Sequence, residues 1–190
     1  FIMKEFLGRN GKGSWLNKQG YQLGGKWFNV LGVSNLNAQS EFNYVNPYTY
    51  SHYTSISNYA HYNQPLAHPL GSNFYESVSF LTYRYKSFTI EGKLMYAIHG
   101  QDFGGLNYGN DLYKPYHTAV QQYGNAVGQG LRTRLTYEDL KISYIINPKY
   151  NLNAEMGVSL RQEVTNFYTD QTNFIYFGIR TNLTNKYYDF

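Results

Sequence analysis

Between Leu152 and Arg161 every second residue is apolar, and this alternation limits the possible folds more than any other feature of the chain. The apolar positions are Leu152, Ala154, Met156, Val158 and Leu160, and the positions between them are Asn153, Glu155, Gly157, Ser159 and Arg161. Successive side chains of a strand point to opposite faces, so this segment has one apolar face and one polar face. Its length of about ten residues is that of a tilted strand crossing a bilayer. The segment therefore predicts one strand of a transmembrane β-barrel.

Comparable segments recur along the chain, joined alternately by short and long connections. Strands are expected at 21–31, 36–44, 74–85, 88–98, 131–146, 152–161 and 173–184, with 1–7 as the end of one more. The short connections are 32–35, 86–87 and 147–151, and the long ones are 8–19, 46–73, 100–130 and 163–172. Outer-membrane barrels have short periplasmic turns and long extracellular loops. The pattern therefore predicts an all-β, antiparallel barrel with a periplasmic C-terminus and extracellular loops at about 46–73 and 100–130.

One of the expected strands does not keep a constant apolar alternation. The apolar phase of residues 131–146 slips by one residue near Glu138 and Asp139, so we expect a β-bulge there.

Composition agrees with a membrane barrel and excludes several other classes. Charged residues make up 15% of the chain and aromatic residues 19%, whereas soluble domains average about 25% charged residues. No apolar run approaches the roughly 18 residues of a transmembrane helix. The net charge of +4 is scattered, so nucleic acid is not an expected partner. The absence of cysteine excludes disulfides and thiolate metal sites.

The start of the chain indicates a processed or partial protein. The sequence opens at Phe1 without an initiator Met, a basic segment or an apolar core. A barrel protein needs a signal peptide with these features to leave the cytoplasm. We therefore expect residues 1–190 to be the C-terminal part of one larger barrel domain.

The alternation assigns side chains to a lipid face and to a lumen face. The lipid face is predicted to carry Leu152, Met156, Val158, Leu160, Ile175, Phe177 and Ile179. The lumen face is predicted to carry the charged residues Glu41, Glu91, Lys93, Arg132, Arg134, Glu155, Arg161 and Arg180. These charges either bind or conduct a polar solute, or simply pair across neighbouring strands in a polar barrel interior.

The sequence predicts neither an enzyme nor a metal or cofactor site. The five histidines lack the spacings and neighbouring carboxylates that metal sites use. Ser51 and His52 are adjacent, and adjacent side chains on an extended segment point apart, so they do not form a catalytic pair. We expect the loop histidines to make hydrogen bonds that stiffen the loop.

The loop at 46–73 is the expected functional element. It is rich in tyrosine, and Pro47, Pro65 and Pro69 restrict its backbone, so we expect an ordered loop. The candidate contact residues are Tyr48, Tyr50, His52, Tyr59, His61, Tyr62 and His68. Tyrosine stacks on sugars and anchors protein partners. The alternatives are that these rings pack the loop against itself or line the membrane interface.

Residues 46–52 (NPYTYSH) and 58–74 (NYAHYNQPLAHPLGSNF) also carry a family resemblance. They resemble the RemB gliding-motility family of Bacteroidetes outer-membrane proteins, within the wider Wzi-type capsule-assembly barrels. The resemblance implies a large barrel of some 14–18 strands, a role in surface adhesion or motility, and polysaccharide handling.

The leading expectation is thus an outer-membrane barrel of the gliding, adhesion or secretion machinery, acting through its extracellular loops. Its expected partners are outer-membrane lipid, other surface proteins and polysaccharide. Two alternatives stay open: a porin-like channel for a polar solute such as a saccharide, and a soluble carbohydrate-binding β domain.

Overall fold

The structure is a computed structural model that describes residues 7–9, 11–62 and 64–181. Within these ranges, nine strands alternate with loops and with three single-turn 3₁₀ helices, at Val30–Gly32, Ser55–Ser57 and Tyr116–Thr118. The strands are β1 (Gly20–Trp27), β2 (Leu36–Val45), β3 (Ala60–His61), β4 (Gln64–Pro65), β5 (Phe74–Tyr85), β6 (Phe88–Gln101), β7 (Leu131–Asn147), β8 (Leu152–Val164) and β9 (Thr169–Thr181). A search of this described part for a helix long and apolar enough to span a membrane finds none.

Seven strands form one antiparallel sheet in the order β1-β2-β5-β6-β7-β8-β9, and β3 pairs with β4 in a separate short hairpin. The predicted all-β antiparallel class is confirmed. The sheet is open, because β1 and β9 are its two edges and do not pair within the described ranges. Residues 1–6 of the possible strand at 1–7, and residues 182–184 of the one at 173–184, lie outside the described residues. Leu7, the remaining residue of the first, is helical and not in a strand.

The connections follow the predicted alternation with two corrections. Residues 46–73 and 102–130 are long, while 86–87 and 148–151 are short. The strand expected at 21–31 ends at Trp27, so the turn expected at 32–35 is the longer connection 28–35, which contains a 3₁₀ helix. The expected long loop at 163–172 is instead a four-residue turn, because β8 runs to Val164 and β9 begins at Thr169. Thr165 closes this turn by accepting hydrogen bonds from the backbone of Phe167 and Tyr168. The other residues of the expected loop belong to β8 and β9.

The register divides the sheet into two faces, which we call the apolar face and the polar face. Val158 pairs with Leu140 on one side and with Ile175 on the other, and paired residues share a face. All seven residues predicted to share the apolar face do so. The face continues across the sheet through Leu23, Trp27, Ala38, Phe42, Leu81, Phe88, Ile90, Leu94, Ile142 and Tyr144.

Strand β7 corrects two predictions. It pairs with β6 without interruption, and its register shift with β8 falls between Ile145 and Asn147, so the bulge expected at 138–139 is wrong. The slip in phase has another cause: β7 is 17 residues long and outruns the apolar face. Above Leu140 the same side of the strand carries Arg132, Arg134, Thr136 and Glu138. Arg132 and Arg134 therefore do not share the polar face, contrary to the prediction.

The limit of the apolar face lies at different heights on the two edges of the sheet. At the loop end, the row of paired residues that begins at Tyr21 and Tyr44 reaches Arg134, Val164 and Thr169 on the last strands. The apolar residues of β9 begin at Ile175, which lies six residues further along the strand than Thr169. Ile175 belongs to the row that begins at Trp27. The apolar face thus ends six residues lower on β9 than on β1. Most of this drop falls between β6 and β7, where Leu94, Tyr96 and Ile98 stand opposite Glu138, Thr136 and Arg134.

The buried core lies at the loop end of the polar face, beneath three loop segments. We call segments 11–19, 46–73 and 102–130 the loop layer. Strand residues of the polar face are buried under it, namely Asn43, Val45, Phe74, Glu76, Ala97, His99 and Thr133. Within the loop layer, Tyr48, Ser51 and Ser72 are fully buried. The predicted long loops are therefore packed structures on the polar face.

Candidate functional site

Tyr48 fastens the two long loops to each other. Its ring is fully buried, its hydroxyl donates to the Asn107 carbonyl at 2.7 Å, and its backbone N–H donates to the Gly109 carbonyl at 2.9 Å. Burial raises the pKa of Tyr48 to about 12, so the hydroxyl stays protonated and remains a donor at physiological pH. The Ser72 hydroxyl reaches the same Gly109 carbonyl at 2.6 Å. Tyr48 is thus a structural anchor, and it is not available as the surface contact that the sequence predicted.

Asn73 joins these loops to the sheet. Its side-chain amide donates to the carbonyls of Gly100 at 2.9 Å and Gln129 at 3.0 Å, and its Oδ1 accepts from the backbone N–H of Gly128 at 2.8 Å. The residue is fully buried and has a positive φ of 66°, a conformation that Asn adopts more readily than most residues. One side chain therefore satisfies three backbone groups on two chain segments.

The first segment of the layer is attached through an aromatic cluster. The Trp15 ring stacks on Tyr116 with centroids 4.7 Å apart. Lys18 lies over the same Tyr116 ring, 4.5 Å from its centroid, and its ammonium donates to the Ser51 carbonyl. Burial lowers the pKa of Lys18. Through its cation–π contact with Tyr116 and its hydrogen bond to Ser51, Lys18 links all three segments of the loop layer.

A pocket of about 470 Å³ lies between the loop layer and the polar face at the β1–β2–β5 side of the sheet. Its polar wall consists of Gln22, Glu41, Asn43, His68 and Glu76, and its apolar wall includes Val45, Tyr50, Leu66 and Phe74. We call it the carboxylate pocket. The volume is within the usual range of small-molecule sites.

The two carboxylates of this pocket share one amide. Asn43 Nδ2 donates to Glu76 Oε1 at 2.9 Å and to Glu41 Oε1 at 3.1 Å. Gln22 also donates to Glu41 Oε1, at 2.7 Å. Asn43 and Glu76 face each other directly across β2 and β5, and Glu41 is two positions away on β2. The antiparallel register therefore places both acids on one face within reach of one amide.

His68 closes the pocket and has a defined tautomer. Its Nε2 lies 2.7 Å from Glu76 Oε1, and its ring stacks on Phe74 with centroids 4.4 Å apart. Its Nδ1 accepts from the backbone N–H of Leu70 at 3.2 Å, so the proton of the neutral ring is on Nε2. The prediction that His68 holds the shape of the loop agrees with these contacts.

The remaining predicted loop residues lie on a projecting segment, 52–66, which we call the tip. Tyr62 is 91% exposed and Ile56 94% exposed. Tyr59 stacks on Tyr50, with centroids 5.8 Å apart, and so connects the tip to the pocket wall. His61 packs edge-on against Tyr62, and His52 is exposed. The predicted set thus divides into buried anchors, a pocket wall and an exposed tip.

The predicted lumen charges that share the polar face are partly paired. Glu91 binds Lys141 at 2.6 Å, and Arg161 binds Glu163 and also Asp170 at 3.3 Å. Lys93 lies over the rings of Phe80 and Tyr137. Glu155 and Arg180 occupy the same face on β8 and β9. These pairs agree with the simpler of the two explanations, charge pairing across neighbouring strands. In the described part of the chain, no group of three or more potential metal ligands occurs.

Sequence reasoning missed the residues that organise the site. Asn73, Glu76 and Lys18 are single polar residues without a motif, and their partners are distant in sequence. The pairing of Asn43 with Glu76 depends on the register of β2 with β5, which no local pattern specifies. The one available signal was that polar Glu76 stands in a strand beneath the expected loop.

Comparison with known proteins does not assign this chain to a family. No protein-family model, no curated protein and no solved structure matches the chain. The resemblance of residues 46–74 to the gliding-motility family therefore stays a prediction.

Proposed function

We propose that this chain is part of an outer-membrane β-barrel whose apolar face contacts lipid and whose loop layer acts at the cell surface. The observation that carries the proposal is the uncovered apolar face, which extends over all seven strands of the sheet. Leu23 and Ile175 are each 77% exposed, and Phe177 is 91% exposed. Soluble monomers rarely expose contiguous apolar patches larger than a few hundred Å². A lipid environment removes this surface from water.

Aromatic residues at both limits of the apolar face support the same proposal. Tyr21, Tyr44 and Tyr75 form one paired row at the loop end. At the turn end, Tyr85, Phe88 and Tyr144 form another. Tyrosine and tryptophan concentrate at the two interfaces of a membrane, where aromatic belts flank the lipid-facing band of outer-membrane barrels.

The loop layer supports a surface-binding role better than an open channel. It packs onto the polar face, so it caps the side that would line a barrel interior. The stretch from Phe42 to Tyr75 contains no Asp, Glu, Lys or Arg. The tyrosine, serine and asparagine content of this stretch is similar to that of antibody binding loops, which contact partners with little loss of conformational entropy. We assign the tip to binding a surface protein or polysaccharide within gliding, adhesion or secretion machinery, without catalysis.

A charge on the apolar face tests the membrane part of the proposal. Val158→Arg places a charge between Leu140 and Ile175, and such changes cost about 2–4 kcal/mol near a bilayer midplane. The control is Ser143→Arg on the polar face, where the new charge faces Glu155. Refolding into liposomes is expected to fail or weaken for Val158→Arg alone. Equal stability of the two variants would contradict a lipid-facing position for Val158.

Removal of the tip tests the surface role. A Gly-Ser bridge replacing residues 53–66 retains Tyr48, His68 and every strand of the main sheet. Liposome insertion is expected to be normal, whereas cell adhesion, motility and partner pull-down are lost. Wild-type behaviour in all three assays would contradict the tip assignment. A large, steady conductance of the intact protein in planar bilayers would favour the channel instead.

A further inference from the structure

We infer that the carboxylate pocket binds an organic cation, an ammonium or guanidinium group carried on an apolar body. The inference adds a small-molecule site to the proposed surface role and does not depend on it. It rests on the charge of the pocket wall, on unused acceptors and on the apolar surface beside them.

The wall carries uncompensated negative charge. Glu41 and Glu76 both line the pocket, and among the described residues that line it there is no Lys or Arg. His68 contacts Glu76 through Nε2 and Leu70 through Nδ1, so at most one of the two carboxylates has a cationic partner in the pocket wall. An anion is therefore repelled by this wall, and a cation is attracted.

Each carboxylate has one oxygen, Oε2, that accepts no hydrogen bond from the described residues. The contacts with Gln22, Asn43 and His68 all go to the Oε1 atoms. Within the described part of the chain, no hydrogen bond or ion pair reaches Oε2 of Glu41 or Oε2 of Glu76. The Glu76 side chain is only 4% exposed, but its Oε2 is not a fully enclosed atom and is therefore reachable by a donor in the pocket. An ammonium group brings three donors and a positive charge to both oxygens.

The apolar part of the pocket lining fits the body of such a ligand. Val45, Leu66 and Phe74 provide apolar surface, and Tyr50 presents a ring that is held by stacking on Tyr59. Aromatic faces attract cations and also cover the apolar part of an amine. A neutral sugar would use the ring and the acceptors, but it would leave the net negative charge of the wall unpaired. The charge therefore favours the amine.

Titration calorimetry of the refolded chain in detergent tests the inference with three probes: phenethylammonium, its uncharged analogue phenethyl alcohol, and methyl glucoside. We expect the amine to bind with a Kd of about 1 mM or tighter, and the alcohol and the sugar to bind at least about tenfold more weakly. Glu41→Gln retains size and hydrogen-bonding capacity but removes one charge. It is expected to weaken the amine about tenfold or more.

Glu155→Gln is the matched control, since Glu155 is a polar-face carboxylate outside the pocket. Titration of Glu155→Gln corrects for partition of the probes into detergent. This variant is expected to bind the amine as the wild type does. Equal binding of amine and alcohol, stronger binding of the sugar, unchanged binding by Glu41→Gln, or no detectable heat would each overturn the inference. Glu41 is not on the apolar face, so normal liposome insertion in the same preparation separates such a failure from failure of the membrane proposal.

Discussion

Asn73 shows how much of the loop layer depends on one side chain. Its amide and carbonyl oxygen satisfy backbone groups of Gly100, Gln129 and Gly128, and these groups belong to β6 and to the end of the second long loop. Replacing it removes the partners of buried groups, each of which then costs about 1–3 kcal/mol. Alanine at this position also has to adopt the positive φ of 66°.

We therefore expect Asn73→Ala to lower the free energy of unfolding by about 2–4 kcal/mol. Protease cleavage within residues 102–130 should become faster, because that loop loses its attachment to the sheet. The exposed Asn166→Ala serves as the control, with a change within about 0.5 kcal/mol. Unchanged stability and unchanged cleavage of Asn73→Ala would show that the loop layer is held by other contacts.

At the scale of the strands, Gly157 and Tyr176 form one unit on the polar face. They are directly paired, and a Cβ on Gly157 would lie 2.5 Å from the Tyr176 ring carbon and hydroxyl and 2.8 Å from the Leu140 carbonyl. The ring thus lies across the glycine and directs its hydroxyl to Asp139, at 3.3–3.4 Å. An aromatic ring that covers a strand glycine in this way helps to fix register.

Gly157→Ala should accordingly lower stability by about 1–3 kcal/mol through overpacking. Gly178→Ala in the neighbouring strand is the matched control, since no atom lies within 4 Å of its added Cβ. It should change stability by less than about 0.5 kcal/mol. Urea unfolding of both variants in liposomes measures the difference. Similar midpoints for the two alanines would mean that Tyr176 does not lie over Gly157.

Strand β7 shows why elements are predictable and their details are not. Alternation identified the strand, because apolar residues at every second position require an extended chain with one apolar face. It could not show that β7 extends beyond the apolar face, so Leu135 and Tyr137 suggested a bulge that is absent. The same limitation placed Arg132 and Arg134 on the wrong face. When a strand passes from one environment to another, its pattern of apolar and polar residues changes although its backbone stays extended.

For the molecule as a whole, the antiparallel class and the positions of the seven main strands followed from local periodicity. The loop layer and the carboxylate pocket did not. Their contacts, such as those of Tyr48 with Asn107 and of Asn43 with Glu76, join residues that are 59 and 33 positions apart. Long-range pairs of single polar residues have no local signature, so a sequence indicates that a loop is ordered but not what holds it.

The difference between the limits of the apolar face on β1 and on β9 has a consequence for orientation. If these two limits mark one surface of a bilayer, the line that joins them gives the mean angle between the strands and the membrane normal. A descent of six residues is about 20 Å along a strand, and six strand spacings cover about 29 Å. The strands would then incline by about 35°, at the lower end of the 35–45° range of closed barrels. Polarised infrared spectra of oriented bilayers should give this inclination, and strands standing parallel to the normal would contradict it.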